Sequence, residues 1–239
     1  MRYTPSRCRN EFFTQVGGSL RELVDLYPQA QARGSGSRLL ALYHSFVFSQ
    51  LEVYIKSMIG DSLRLVSSIG PAAGQWPEQM LAYHLHKQHQ LAEEYRKFSA
   101  NGGDEVRLLE VVGRISKEIE NWTNGTSKPI IVNVDGYLEG RSYPSPRNLQ
   151  RLFNRIGIIS IWTQIDPISR MDNKRVLTSL NDIRTSIVHD GVVPPGFNLT
   201  DHKKYTGQVY LLVNAIDRVI ANHFCATMIS CSDWNARMT

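Results

Sequence analysis

Between Arg38 and Ile59 the chain carries so many apolar side chains at helical spacing that one helix must lie with most of its circumference inside protein. Leu40, Tyr43, Val47, Leu51, Tyr54 and Met58 recur every three or four positions, the rhythm of a single helix face. Leu39, Leu42, Phe46 and Ile55 widen that stripe on both sides. A helix of this kind is stable at the centre of a bundle, which narrows the fold to helices packed around it. Glu52 interrupts the apolar run, and a carboxylate there must either find a cation or turn to the solvated edge. Gly60-Asp61 is read as the helix end.

The flanking segments fit the same all-α class. A first helix is expected over about Glu11 to Leu26, stopping ahead of Tyr27-Pro28 because the residue before a proline is pushed out of the helical region. Gly34-Ser35-Gly36-Ser37 then serves as a hinge, so that residues 1–36 read as an N-terminal helical extension. Two helices follow, roughly Trp76 to Ser99 and Asp104 to Trp122, divided by Asn101-Gly102-Gly103. The first holds His84, His86 and His89. With Lys87, Gln88 and Gln90 interleaved and no cysteine close by, they read as a solvated face, and no metal is assigned.

Residues 124–146 change character, with Ile130-Ile131-Val132-Asn133-Val134 leading into Asp135-Gly136. Branched residues followed by Asp-Gly predict a small β-hairpin or extended loop near residues 128–140, inserted into one helical domain spanning 1–239. Ser145-Pro146 opens the next helix as N-cap and first helical residue, with a core stripe of Leu149, Leu152, Phe153 and Ile156. Arg147, Arg151 and Arg155 form a basic row beside that stripe. From Arg141 to Arg175 there are seven basic and two acidic side chains, a balance suited to an RNA phosphate surface and equally to an exposed, solubilising helix face. A last long helix is expected from about Asp201 to Met228.

With 239 residues, 42% of them hydrophobic and 21% charged, the chain has the composition of an ordinary globular protein. A net charge of +5 favours anionic partners without requiring them. Cys8, Cys225 and Cys231 are odd in number and lack CxxC spacing, which fits a reducing, cytoplasmic setting. No apolar run approaches the roughly 18 residues of a membrane span, and the N-terminus has no apolar leader segment.

The segment Leu180 to Gly191, LNDIRTSIVHDG, holds the chemistry. Asp172 is its expected N-cap, Val176, Leu177, Leu180, Ile183, Ile187 and Val188 its apolar stripe, and Gly191 with Pro194-Pro195 its stop. Arg184 is a permanent cation whose planar fork can grip phosphate, and His189 is of the residue type most suited to moving protons near neutral pH. Those are the two functions that metal-free cleavage of RNA most needs. The ribose 2′-OH attacks the adjacent phosphorus, His189 acts as general base or acid, and Arg184 neutralises the charge developing on the phosphoryl oxygens. The alternative is that both side chains merely cap carbonyls at a helix end. Bare spacing does not decide, since Arg218 and His223 repeat it and Arg38 and His44 are one residue wider. Arg218 and His223 lie mid-helix with no nearby stop and read as surface residues. On a straight helix, positions five apart point about 140° away from each other. Arg184 and His189 therefore meet either by unwinding of the last turn or across the twofold axis of a homodimer.

This helix, with FVFSQLEVYIKSMI and NLQRLFNRIGI before it, resembles the HEPN superfamily, within it the RiboL-PSP-like group, from about Leu39 to the last helix. The family's R-x(4–6)-H signature falls on Arg184 and His189. The resemblance implies a HEPN-like helical bundle, a homodimer with the motif helices at its interface, and metal-independent endoribonuclease activity, often that of a toxin with a cognate antitoxin or of an antiphage effector. It also implies no cofactor. Family members include non-catalytic modules that bind RNA or protein. The position after the motif arginine, commonly Asn, Asp or His in active members, is Thr185, a hydrogen-bonding side chain counted with the arginine row among the RNA-binding candidates. Gly191 stands where some of these toxins carry a tyrosine that a partner enzyme adenylylates, so control by that route is not expected.

Overall fold

The computed structural model describes residues 3–71, 73–89, 91–100, 105–123, 132–139 and 144–239, and every regular element among them is helical. In order these are α1 (Arg7–Ala32), α2 (Gly36–Ile69), a 3-10 turn (Ala73–Gln75), α3 (Glu78–His89), α4 (Leu91–Ala100), α5 (Glu105–Thr123) and α6 (Val134–Leu138). There follow α7 (Pro146–Arg155), α8 (Ile161–Ser169), α9 (Asn173–Asp190), α10 (Leu199–Thr227) and α11 (Cys231–Met238). None of the described helices is long and apolar enough to cross a membrane.

Helix α2 is the spine. Leu51, Ile55, Met58, Ile59, Leu63 and Val66 are all but inaccessible, and α1, α6, α9, α10 and α11 each pack against it. It does not stop at Gly60-Asp61. It continues to Ile69 and closes at Gly70, whose positive φ of 64° lets its N–H reach the Val66 carbonyl. A glycine inside a helix costs roughly 1 kcal/mol, and here the helix runs on through it with α6 packed alongside. A Cβ on Gly60 would stand 3.6 Å from the Val134 Cγ1 and 3.3 Å from the Arg64 guanidinium. Asp61 is held in the continuing helix by Arg64 at 2.6 Å and by Arg7 of α1 at 3.3 Å. Glu52 takes the half-exposed solution, paired with Lys56 at 2.7 Å.

Helix α1 also outruns its expected end, passing through Pro28 to Ala32. Burial of Leu23 and packing of Tyr27 against Leu40 and Tyr43 of α2 outweigh the pre-proline bias. The α1–α2 turn is tight, with Gly34 at φ 71°. Far from standing off the bundle, α1 contributes Phe12, Val16 and Leu23 to its interior. Its start is fastened to α10: the buried Asp217 carboxylate accepts hydrogen bonds from the Tyr3 and Ser6 hydroxyls, the Ser6 N–H and, at 3.3 Å, the Tyr54 hydroxyl.

The hairpin expected near residues 128–140 gives way, in its described part, to the short helix α6; residues 124–131 and 140–143 lie outside the described residues. Asn133 accepts from the Gly136 N–H as an N-cap, so Asp135-Gly136 opens a helix instead of turning a hairpin. Tyr137 of α6 is buried and donates to the Met80 carbonyl at 2.7 Å. Over the described residues the expected helix from Trp76 to Ser99 is helical as α3 and α4, and residue 90 between them lies outside the described residues. His84 is buried beside Trp76 while His86 is exposed, so the three histidines do not share one solvated face.

Two apolar clusters result. The larger is organised by α2 and α10. The smaller joins Leu23 of α1, Leu40 and Tyr43 of α2, Ile183 and Ile187 of α9, and Val193 of the following loop. This second cluster sets the C-terminal half of α9 against the α1–α2 turn.

Candidate functional site

Helix α9 forms as its sequence dictates. Asp172 accepts from the Arg175 N–H at 2.9 Å, Leu177, Leu180, Ile183 and Ile187 face inward, and Gly191 at φ 71° donates to the Ile187 carbonyl at 2.8 Å. Arg175, Thr178, Asp182, Thr185 and His189 succeed one another along its exposed edge. His189 therefore stands exposed in the last turn of the helix. Val188, expected in the core stripe, is instead 65% exposed beside it, because it falls one position past Ile187 and turns off the inward face.

Arg184 lies on a different side. It is half-buried, with its guanidinium carbon 5.3 Å from the centre of the Phe48 ring of α2. The last turn is regular up to Gly191, so the roughly 140° between Arg184 and His189 persists. Within one chain they do not address a common point.

The other Arg/His spacings are absorbed by the fold. Arg218 lies 5.0 Å over the Tyr3 ring, and His223, half-buried and not a surface residue, donates through Nε2 to the Ile156 carbonyl at 2.9 Å. Burial lowers the His223 pKa, and the bond to Ile156 opposes that shift. His44 is buried with Nε2 3.4 Å from the Leu180 carbonyl, buttressing α9 from behind.

The arginine row is divided. Arg147 and Arg151 are exposed on α7. Arg155 turns inward, donating through Nη1 to the carbonyls of Tyr137 at 2.5 Å and Glu139 at 3.1 Å while its guanidinium lies 4.7 Å from the Tyr83 ring. It joins α3, α6 and α7, and its charge is engaged within the fold. Thr185 donates its hydroxyl proton to the Asn181 carbonyl at 2.9 Å, leaving an exposed oxygen that can accept.

Sequence reasoning passed over two residues of the same last turn. Ser186 and Asp190 lie one turn apart, bonded at 3.1 Å, and line an open cleft of 660 Å³ with the α1–α2 turn and the 192–198 loop. The sequence signal for them is their i, i+4 spacing beside Pro194-Pro195. Behind the loop, His44 and His202 are buried with ring centres 6.1 Å apart, and His202 Nδ1 has no hydrogen-bond partner. Burial, and then the neighbouring His44, hold the His202 pKa down to about 4. Among the described residues no three His, Cys, Asp or Glu side chains gather as a metal-ligand group.

Comparison with models of known families, with curated proteins and with solved structures gave no match.

Proposed function

We propose that this chain is a metal-independent endoribonuclease of the HEPN type, acting in the cytoplasm as a homodimer and serving as a toxin or antiphage effector held in check by a cognate antitoxin. The observation that carries the reading is the contrast among the three Arg/His spacings. His44 is buried and His223 is bonded to the fold, whereas His189 stands exposed at the end of a well-capped helix.

The divergence of Arg184 from His189 supports a site composed across a twofold axis, where the Arg184 of one copy and the His189 of the other face one phosphodiester. Neutral His189 removes the 2′-OH proton, the oxygen attacks phosphorus, and the P–O5′ bond breaks. A proton returned to O5′ leaves a 2′,3′-cyclic phosphate and a free 5′-hydroxyl. Arg184 stabilises the charge that builds on the non-bridging oxygens.

The deciding experiment compares wild type with Arg184→Ala and His189→Ala for RNA cleavage in vitro and for growth and RNA integrity in cells. Each substitution is expected to lower cleavage by about 10²–10⁴-fold, the usual weight of general acid–base and electrostatic terms. Failure of the wild type to cleave RNA, or equal cleavage by His189→Ala, overturns the reading. The exposure of Arg147 and Arg151 favours a second reading, a non-catalytic HEPN module that binds RNA or a protein partner. In that case Arg151→Ala weakens binding more than His189→Ala does.

A further inference from the structure

The cleft beside the last turn of α9 has a lining of distinct chemical character. Its volume of 660 Å³ lies within the roughly 300–1,000 Å³ of ordinary ligand sites. Asp190 is the one charged side chain that lines it, among the described residues, and no lysine or arginine does. A phosphate would meet a carboxylate there without a cation, so a phosphate is not what the cleft receives. The rest of the lining suits a flat, half-apolar group with hydrogen-bond donors. Tyr27 and Phe197 supply aromatic faces, Leu40 and Pro195 apolar surface, and Gln31 an amide.

The walls are held in place. Phe197 stacks on Tyr205 at 6.0 Å and 22°, and meets the buried His44 ring edge-on at 5.8 Å. Gln31 and Tyr27 close over Gly36, where a Cβ would stand 2.2 Å from the Gln31 Oε1 and 3.3 Å from the Tyr27 ring. Any larger residue at position 36 requires the Gln31 amide to move.

The carboxylate narrows the ligand further. Asp190 Oδ2 accepts from the Ser186 hydroxyl at 3.1 Å, and each carboxylate oxygen has more than one acceptor site, so both oxygens can still receive N–H donors. Guanine is the common base that offers two adjacent donors, N1–H and N2–H, along one edge. Adenine and cytosine place an acceptor beside their amino group, and uracil flanks its single N–H with two carbonyls. Each of those sets a lone pair against the carboxylate.

We propose that this cleft is a guanine-binding subsite, in which Asp190 receives the N1–H and N2–H edge and Tyr27 and Phe197 enclose the ring. Ser186 and Asp190 follow one helix line and His189 the adjacent one, so the ribose and phosphate of a seated nucleotide emerge at the rim next to His189. That last placement rests on the ribonuclease reading; recognition of the base does not.

The test is calorimetric titration of the full-length protein with GMP, AMP, CMP, UMP and arginine amide, repeated with Asp190→Asn. Asp190 is exposed, so the variant is expected to fold, and its unfolding midpoint checks this. Wild type is expected to bind GMP about tenfold or more tightly than the other nucleotides, and Asp190→Asn to lose that preference, because mispairing a site built for two donors costs at least this much. GMP binding no tighter than AMP, unchanged GMP binding by Asp190→Asn, or equal affinity for arginine amide overturns the proposal; the last result points to a protein side chain as the occupant. The two readings separate cleanly. RNA cleavage with no preference for guanine, unaltered in Asp190→Asn, removes the subsite and leaves the nuclease. Asp190-dependent GMP binding by a protein that cleaves no RNA does the reverse.

Discussion

His202 shows what a single buried side chain does to the acid stability of the molecule. The ring is almost inaccessible, has His44 as its titratable neighbour, and finds no partner for Nδ1. Its pKa falls from an ordinary 6.5 to about 4 in the folded protein. Because the folded form disfavours the proton, its effect on stability is absent above pH 6.5 and destabilising as pH falls from there to about 4. The integrated loss is roughly 3 kcal/mol. Urea denaturation across that window is expected to show the decline in wild type and a much flatter profile in His202→Gln; parallel profiles would refute the assignment. Nothing in the sequence announced this pair, since His44 and His202 are 158 positions apart and only the docking of α10 on α2 brings them together.

At the scale of elements, α9 was legible because every local signal agreed: an Asp N-cap, an inward stripe and a glycine stop. Helix α2 was legible as a buried rod, but its end was not. Gly60 and Gly70 are the same residue type, and only the positive φ of Gly70 tells the terminal glycine from the interior one. Within the described residues 132–139 the expected hairpin or extended loop is replaced by α6, since Asn133 supplies an unanticipated cap. Helices α8 and α11 went unread because one contains Pro167 and the other has only eight residues. The two glycines that close α9 and α7 also differ in kind. At Gly191 an added Cβ meets nothing within 4 Å, so Gly191→Ala is expected to cost only the left-handed backbone penalty of about 1 kcal/mol. At Gly157 the Cβ would stand 2.3 Å from the Pro77 Cβ. Gly157→Ala should therefore destabilise more in urea, yet leave cleavage per folded molecule unchanged. Gly191→Ala, by loosening the turn that carries His189, should lower that rate, and the opposite order would detach the helix end from function.

On the scale of the whole molecule, the roughly 140° between Arg184 and His189 makes a quantitative claim about assembly. If each site takes Arg184 from one copy and His189 from the other, a heterodimer of Arg184→Ala and His189→Ala has one wholly intact site and one doubly damaged site. Random pairing of the two inactive variants should then restore about a quarter of wild-type cleavage. Mixing after partial denaturation and refolding measures it, and no recovery would place both residues of each site on one chain or require both sites together. The long α2 helix has another consequence. At 34 residues it is about 51 Å of continuous rod packed against α1, α6, α9, α10 and α11. Undocking any one neighbour still leaves its central amides enclosed by the rest. Isotope exchange there must wait for the entire bundle to come apart, making those amides a direct gauge of global stability while the flanking helices breathe independently.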